Sequence, residues 1–193
     1  MDEKEVMAVM DLDCFEVKPA GHSSTLDHDT WQKTTLHMVF DVKQSLDRKC
    51  HLVAGGHLVD MMDIQVYSLT VKSIGSIQLL HVISHKAGLE HLCGDIGNGF
   101  PNAYTHEKVY IQKAGPEFGE YEGCCLIIRK TLYGLCFSNE RFHARLAEAL
   151  RSFGFSQTGF NNDVWIRFDK SGKHYEYICT HVDNLLICSK NPE

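Results

Sequence analysis

The stretch "YEYICTHVDNLLICSK", residues 175–190, sets Asp183 between two apolar, β-rich runs. Two readings of that acid stand open. Asp and Asn tolerate tight-turn geometry, so His181-Val182-Asp183-Asn184 suits a hairpin turn. The same bend also suits a metal-binding carboxylate fixed by two rigid strands. Asp95 in "CGDIGNGF" is a second acid at the end of an apolar run. Two carboxylates brought together in a partly apolar site need a cation to neutralise them. Magnesium prefers such hard oxygen ligands, and two ions about 4 Å apart stabilise both oxygens of an in-line displacement at phosphorus. Asp95 and Asp183 are 88 positions apart, and spacing alone does not bring them together.

Other potential ligands carry less. The eight cysteines form no CxxC pair, and Cys124-Cys125 are adjacent, which suits neither an easy disulfide nor a zinc knuckle. The thiols are read as reduced. His81, His85, His91 and Cys93 offer metal-ligating types, with helical spacing between the first two, but packing or surface histidines are the favoured reading.

With 193 residues and 44% apolar composition, the chain is expected to build a packed core. No apolar run reaches the roughly 20 residues that cross a bilayer, and the acidic start "MDEKEVMAVMDLD" is unlike a signal peptide. The expectation is a soluble intracellular protein with no membrane partner. The net charge of −6 is concentrated in residues 1–30, which hold eight acids and two bases. The remaining chain is neutral, so charge neither supports nor excludes a phosphate-backbone partner.

The elements that must position these residues read as mixed α+β. Residues 1–30 are expected to be an acidic segment, with a short helix at about 4–10 and a linker around "KPAGHSS". "TLHMVFDVK" reads as a strand over 36–42, "SLDRK" as a turn, and "CHLVAGGH" as the returning strand, with Arg48 and Lys49 at the hairpin tip. Residues 73–86 carry helical periodicity ending at Gly88. Strands follow in "LEHLCGDIG", "EKVYIQ" and "CCLIIRK", with "GPEFGEYEG" as loop. "NERFHARLAEALRSFGF" predicts the strongest helix, with Phe142, Leu146, Ala149, Leu150 and Phe153 on its packed face and Gly154 as its stop. "DVWIRF", a "DKSGK" turn and "HYEYICT" make a further hairpin.

Taken together these segments resemble the reverse transcriptase of copia-type LTR retrotransposons over nearly the whole chain, from about residue 14. "HMVFDVK" with "RKCHLVAGGH" is similar to the family's fingers segment, and "CGDIGNGF" to its first catalytic motif. "EKVYIQKAGPEFG" and "LIIRKTLYGL" resemble the adjacent strand, loop and template grip. "HVDN", preceded by "DVWIR", occupies the place of the second catalytic motif, an aromatic, any residue, then Asp-Asp. The resemblance implies a right-hand polymerase with fingers and palm subdomains over residues 31–193. It implies RNA-directed DNA polymerisation at a two-ion Mg²⁺ site held by Asp95 and Asp183. Arg48, Lys49 and His51 would lie near the incoming triphosphate, and Tyr133 and Gly134 near template and nucleotide. The partners so implied are an RNA or DNA template with primer and deoxynucleoside triphosphates. The two carboxylates are expected within roughly 4–7 Å, the separation that bridging a metal pair demands.

The sequence also departs from that pattern. Asn184 stands where the family has its second paired aspartate, so one anionic ligand is lost. His181 replaces the aromatic. His51 replaces the arginine of an Arg-Leu-Val, removing a bidentate phosphate grip. Gly99 and Pro101 stand for an alanine and a leucine beside the first motif. Thumb and RNase H are absent from the chain, so it reads as a polyprotein fragment from a decayed copy, truncated after the second motif. Impaired polymerisation is the expectation, against an alternative of a non-catalytic nucleic-acid-binding remnant or an inert globular fragment.

Overall fold

The computed structural model describes residues 2–42, 46, 48–59, 74–159 and 161–192. In chain order the elements are α1 (Asp2–Asp11), β1 (Phe15–Lys18), β2 (Gln32–Thr34), β3 (Leu36–Val42), β4 (Arg48–Ala54), α2 (Ile74–Lys86), β5 (Glu90–Asp95), β6 (Val109–Ile111), β7 (Cys125–Ile128), α3 (Ser138–Ser152), β8 (Ser156–Thr158), β9 (Asn161–Phe168), β10 (Tyr175–His181) and β11 (Asn184–Ser189). They fall into two compact units: residues 1–66 with 100–142, and residues 67–99 with 143–193.

The first unit holds a four-stranded sheet in the order β1-β7-β6-β2 and the separate β3–β4 hairpin. β7 shows why a continuous apolar run becomes a central strand. All four of its residues are buried, because the pleat sends Leu126 and Ile128 to one cluster and Cys125 and Ile127 to another. β1 and β6 flank it, both antiparallel. Residues 2–30, read from sequence as an acidic segment with a short helix at about 4–10 and a linker, supply that helix as α1 and also β1. Their Val6, Val9, Cys14 and Phe15 lie in the main core of this unit. The "GPEFGEYEG" loop contains a 3₁₀ helix over Pro116–Tyr121, whose Phe118 packs edge-on against Phe15 at 5.8 Å.

The second unit is an all-antiparallel sheet ordered β5-β11-β10-β9-β8. Alternation along its strands feeds two clusters. Val164, Cys179, Cys188 and Leu186 pack with Ile77 and Leu80 of α2. Trp165, Ile178, Leu185 and Ile187 pack with Leu146, Ala147 and Leu150 of α3. Adjacent residues point to opposite faces, so α2 and α3 cover opposite faces of this sheet. Both helices stop as expected. Gly88 N–H donates to His85 O (3.1 Å) and Leu89 N–H to Ser84 O (2.9 Å). After α3, Gly154 N–H donates to Arg151 O (2.9 Å) and Phe155 N–H to Leu150 O (3.0 Å). These are the paired bonds of a Schellman ending.

Several expectations change. Phe153, placed on the packed face of α3, is 66% exposed, while Ala147 is 3% exposed and takes its place. The cause is position: Phe153 follows the last helical residue, where the chain is already turning out toward Gly154. Phe142 packs edge-on against Phe100 (5.9 Å), within the first unit, rather than on the five-stranded sheet. The short strands β1, β2 and β8 carry no sequence expectation, since FEVK, QKT and SQT lack the continuous apolar run that marks the equally short β6 and β7. The hairpin tip at 43–45 and 47, and residue 73 of the second helix, lie outside the described residues.

Burial then orders the mutational costs. Leu150→Ala should destabilise by about 2–5 kcal/mol, as a buried leucine does. The half-buried Leu146 should sit at or below the low end of that range. Phe153→Ala should shift stability by no more than about 0.5 kcal/mol. Urea unfolding of the three variants checks the face; equal losses at 150 and 153 would reverse the assignment.

Candidate active site

The second unit brings both acidic motifs to one end of one pair of strands. β11 pairs antiparallel with β5, and its first residue, Asn184, lies opposite Asp95. Directly paired residues share a face, so the Asp95 and Asn184 side chains project on the same side, the α2 side. Asp183 sits one residue earlier, in the two-residue turn between His181 and Asn184, which are themselves paired. Its carbonyl accepts a hydrogen bond from Ile96 N–H at 2.8 Å, which extends the β5–β11 pairing past Asp95. Of the two readings the sequence left open, the hairpin turn is present, with Asp183 at its second central position.

Asn184 changes the electrostatics of this edge. Its Nδ2 amide donates to Asp183 Oδ1 at 3.0 Å. An aspartate in its place would repel Asp183 and call for a cation; the amide instead satisfies one carboxylate oxygen directly. Asp95 and Asn184 are exposed and Asp183 is half-buried, so the edge is accessible to solvent. Among the described residues, no three His, Cys, Asp or Glu side chains converge as a metal-holding group. The donors present are two carboxylates and an amide oxygen. They are hard oxygen ligands and fit a divalent ion of the magnesium type, with less charge than three carboxylates would supply.

The turn itself is strained. Of its two central residues only Val182 has a positive φ, 53°. That is glycine's region, and a β-branched side chain there is an outlier costing about 1–3 kcal/mol. Val182→Gly should relieve more than glycine's added chain entropy, about 0.5–1 kcal/mol, takes away. The expected result is a gain in stability of up to about 2 kcal/mol, read by urea unfolding; a loss would show that the valine is accommodated without strain.

The remaining candidates belong to the first unit. His51 Nδ1 lies 3.5 Å from Glu5 Oε1, and its ring packs on Tyr133 with centroids 4.7 Å apart. Tyr133 also meets Phe100 edge-on at 4.7 Å. Ala54 N–H donates to Tyr133 O at 2.7 Å, tying β4 to the segment before Gly134. Gly134 has φ 92°, and a Cβ there would lie 2.0 Å from the Ala54 carbonyl oxygen. Only glycine permits that approach. Arg48 and Lys49 are both exposed, at the start of β4 opposite Val42 and Asp41. As neighbours in a strand they point to opposite faces, so Lys49 shares a face with His51 and Arg48 does not.

A cleft of about 350 Å³ in the same unit had no sequence signal. Val59, Val109 and Phe137 line it together with Glu107. Burial raises the Glu107 pKa, although its carboxylate accepts from Phe137 N–H (3.2 Å) just before α3. Contacts between residues 30 apart in sequence leave no local pattern to read.

The chain matches the family model of reverse transcriptases (RNA-dependent DNA polymerases) over residues 28–193, and it belongs to that family. The match takes in the second unit and the first from residue 28 onward, with both aspartate motifs and the β3–β4 hairpin, and leaves α1 and β1 outside it. Comparison with curated proteins returned no match. Members of this family bind a nucleic-acid template and deoxynucleoside triphosphates and use a divalent metal. Among the described residues no helix is long and apolar enough to cross a membrane.

Proposed function

We propose that the chain is a copia-type reverse transcriptase core in which polymerase chemistry is attenuated at Asn184. The first unit corresponds to fingers and the second to palm. The observation that carries this reading is the register Asn184↔Asp95, with the Asn184 amide on the Asp183 carboxylate, in a chain of this family. Asp95 and Asp183 are the residues that would hold Mg²⁺. The bound ion would supply charge neutralisation at the reacting phosphate and a lowered pKa for the primer hydroxyl. The protein's own part is to fix two carboxylates on paired strands, where a sheet holds ligands more accurately than a loop. On the first unit, Lys49 and His51 offer donors to a triphosphate, and Tyr133 offers an aromatic face to a base.

The same hydrogen bond supports a second reading, a nucleic-acid-binding remnant without chemistry. Asn184 satisfies Asp183 without a cation, so the edge can rest uncharged by metal. Primer extension on an RNA template separates the two. With the full chain and Mg²⁺, weak synthesis is expected, abolished in both Asp183→Ala and Asp95→Ala. Synthesis that survives either substitution would overturn the ligand assignment. Template–primer binding with no synthesis at any Mg²⁺ concentration would leave the remnant reading in its place.

A further inference from the structure

Away from the aspartates, α2 and β5 bring two imidazoles together. The ring centroids of His81 and His91 are 4.8 Å apart, with planes inclined at 59°. Both residues are exposed. His91 Nε2 lies 2.9 Å from Ser84 Oγ. Ser84 is fully buried, and its hydroxyl donates to Leu80 O one turn back along α2. A serine hydroxyl has a single proton to give. With that proton on the helix carbonyl, Oγ meets His91 as an acceptor. Ser84 Oγ also hydrogen-bonds the Cys188 thiol. In the tautomer that carries its proton on Nε2, His91 donates to Oγ and presents Nδ1 as a bare lone pair. Cys188, opposite His91 in the register, is buried, and that burial raises its thiol pKa. A neutral thiol there adds no charge beside the imidazole.

We propose that His81 and His91 form a two-imidazole site for a divalent late first-row transition metal, with His91 ligating through Nδ1 and oriented by Ser84. The spacing fits. Two imidazoles on one tetrahedral ion, each nitrogen at about 2.0–2.1 Å, place their ring centroids about 5 Å apart. The tautomer fits as well, because a ligating histidine ordinarily gives its other N–H to a fixed acceptor. Imidazole donors select zinc, nickel or copper, whereas the carboxylate edge at Asp95 suits a hard ion, so the two places discriminate by ligand chemistry. Among the described residues no third His, Cys, Asp or Glu completes the group, which leaves the other positions to water. Such an ion would clamp α2 to β5, the strand that ends at Asp95.

The test is a Zn²⁺ titration of the full chain, thiols kept reduced with a phosphine, followed by calorimetry and by imidazole NMR resonances. One equivalent should shift the His81 and His91 resonances and raise Tm. His81→Ala and His91→Ala should lose that equivalent. Ser84→Ala should weaken it by about 10–100-fold, as loss of an orienting partner does. Cys93→Ser, two residues along the same face of β5, should retain it. His81 is exposed, so its variant is expected to keep the wild-type far-UV spectrum and remains informative if a change at 91 impairs folding. Zinc binding unchanged in His81→Ala, no shift in the wild type, or loss of binding in Cys93→Ser would each overturn the two-imidazole site.

Discussion

Asn184→Asp should raise Mg²⁺-dependent primer extension by roughly a hundred- to thousand-fold, the usual worth of one electrostatic contact at a reacting centre, about 2.7–4 kcal/mol. Two changes act together. The substitution removes the amide that now occupies Asp183 Oδ1, and it adds a third anion on the face that Asp95 shares. The same change carries a signature in stability. Three carboxylates at one sheet edge repel one another when no cation is present. The variant should therefore melt below the wild type in a chelator and recover with Mg²⁺, while the wild type responds little. Extension rates with and without the substitution, alongside melting in both conditions, check the two halves separately. A variant that extends no faster and gains no Mg²⁺ dependence in Tm would show that the edge does not act as a metal site.

Gly134→Ala should be strongly destabilising to the first unit. Its Cβ would meet the Ala54 carbonyl oxygen at 2.0 Å and Val53 Cγ1 at 2.8 Å, on a backbone held at φ 92°. Left-handed backbone at a non-glycine residue costs about 1–3 kcal/mol, and overpacking adds about 1–3 more, so a loss of about 2–6 kcal/mol is expected. For a domain of ordinary stability that is a large fraction of the total. The measurement is urea unfolding of the variant. The family resemblance suggests that Gly134 serves the nucleotide. A variant of unchanged stability but raised KM for nucleotide would favour that role over close backbone packing.

Where the chain's pattern is local, the sequence alone determined the outcome. "TLHMVFDVK" and "CHLVAGGH" became β3 and β4, although β4 starts two residues earlier and ends at Ala54, so Arg48 and Lys49, read as the hairpin tip, pair with Val42 and Asp41. The 3.6-residue period of "NERFHARLAEALRS" became α3, and glycines at 88 and 154 ended their helices with the expected hydrogen bonds. Periodicity and caps act over a few residues, which is why they are legible. Phe153 marks the edge of that legibility, since a helix's last periodic residue and the first one past it look alike in sequence but face differently.

Tertiary structure decided what depends on pairing between distant segments. The motif residues Asp95 and Asp183 were recognisable by type, but only the β5–β11 register sets Asn184 opposite Asp95. Only side-chain packing shows the Asn184 amide resting on Asp183. Val182's positive φ follows from closing that hairpin in two residues and has no signal in its own side chain. The helix at 4–10 was legible, but the contacts that put Val6, Val9 and Phe15 into a core with Leu52, Val109 and Leu126 join segments far apart in the chain. Likewise, His81 and His91 were seen as spacing along a chain. Their facing rings, and the buried Ser84 that meets His91 Nε2, arise because a helix and the strand after it fold back on each other around Gly88. Residue type and local period are written in the sequence, whereas which side chains share a face across a sheet is settled by hydrogen-bond register between strands far apart in the chain.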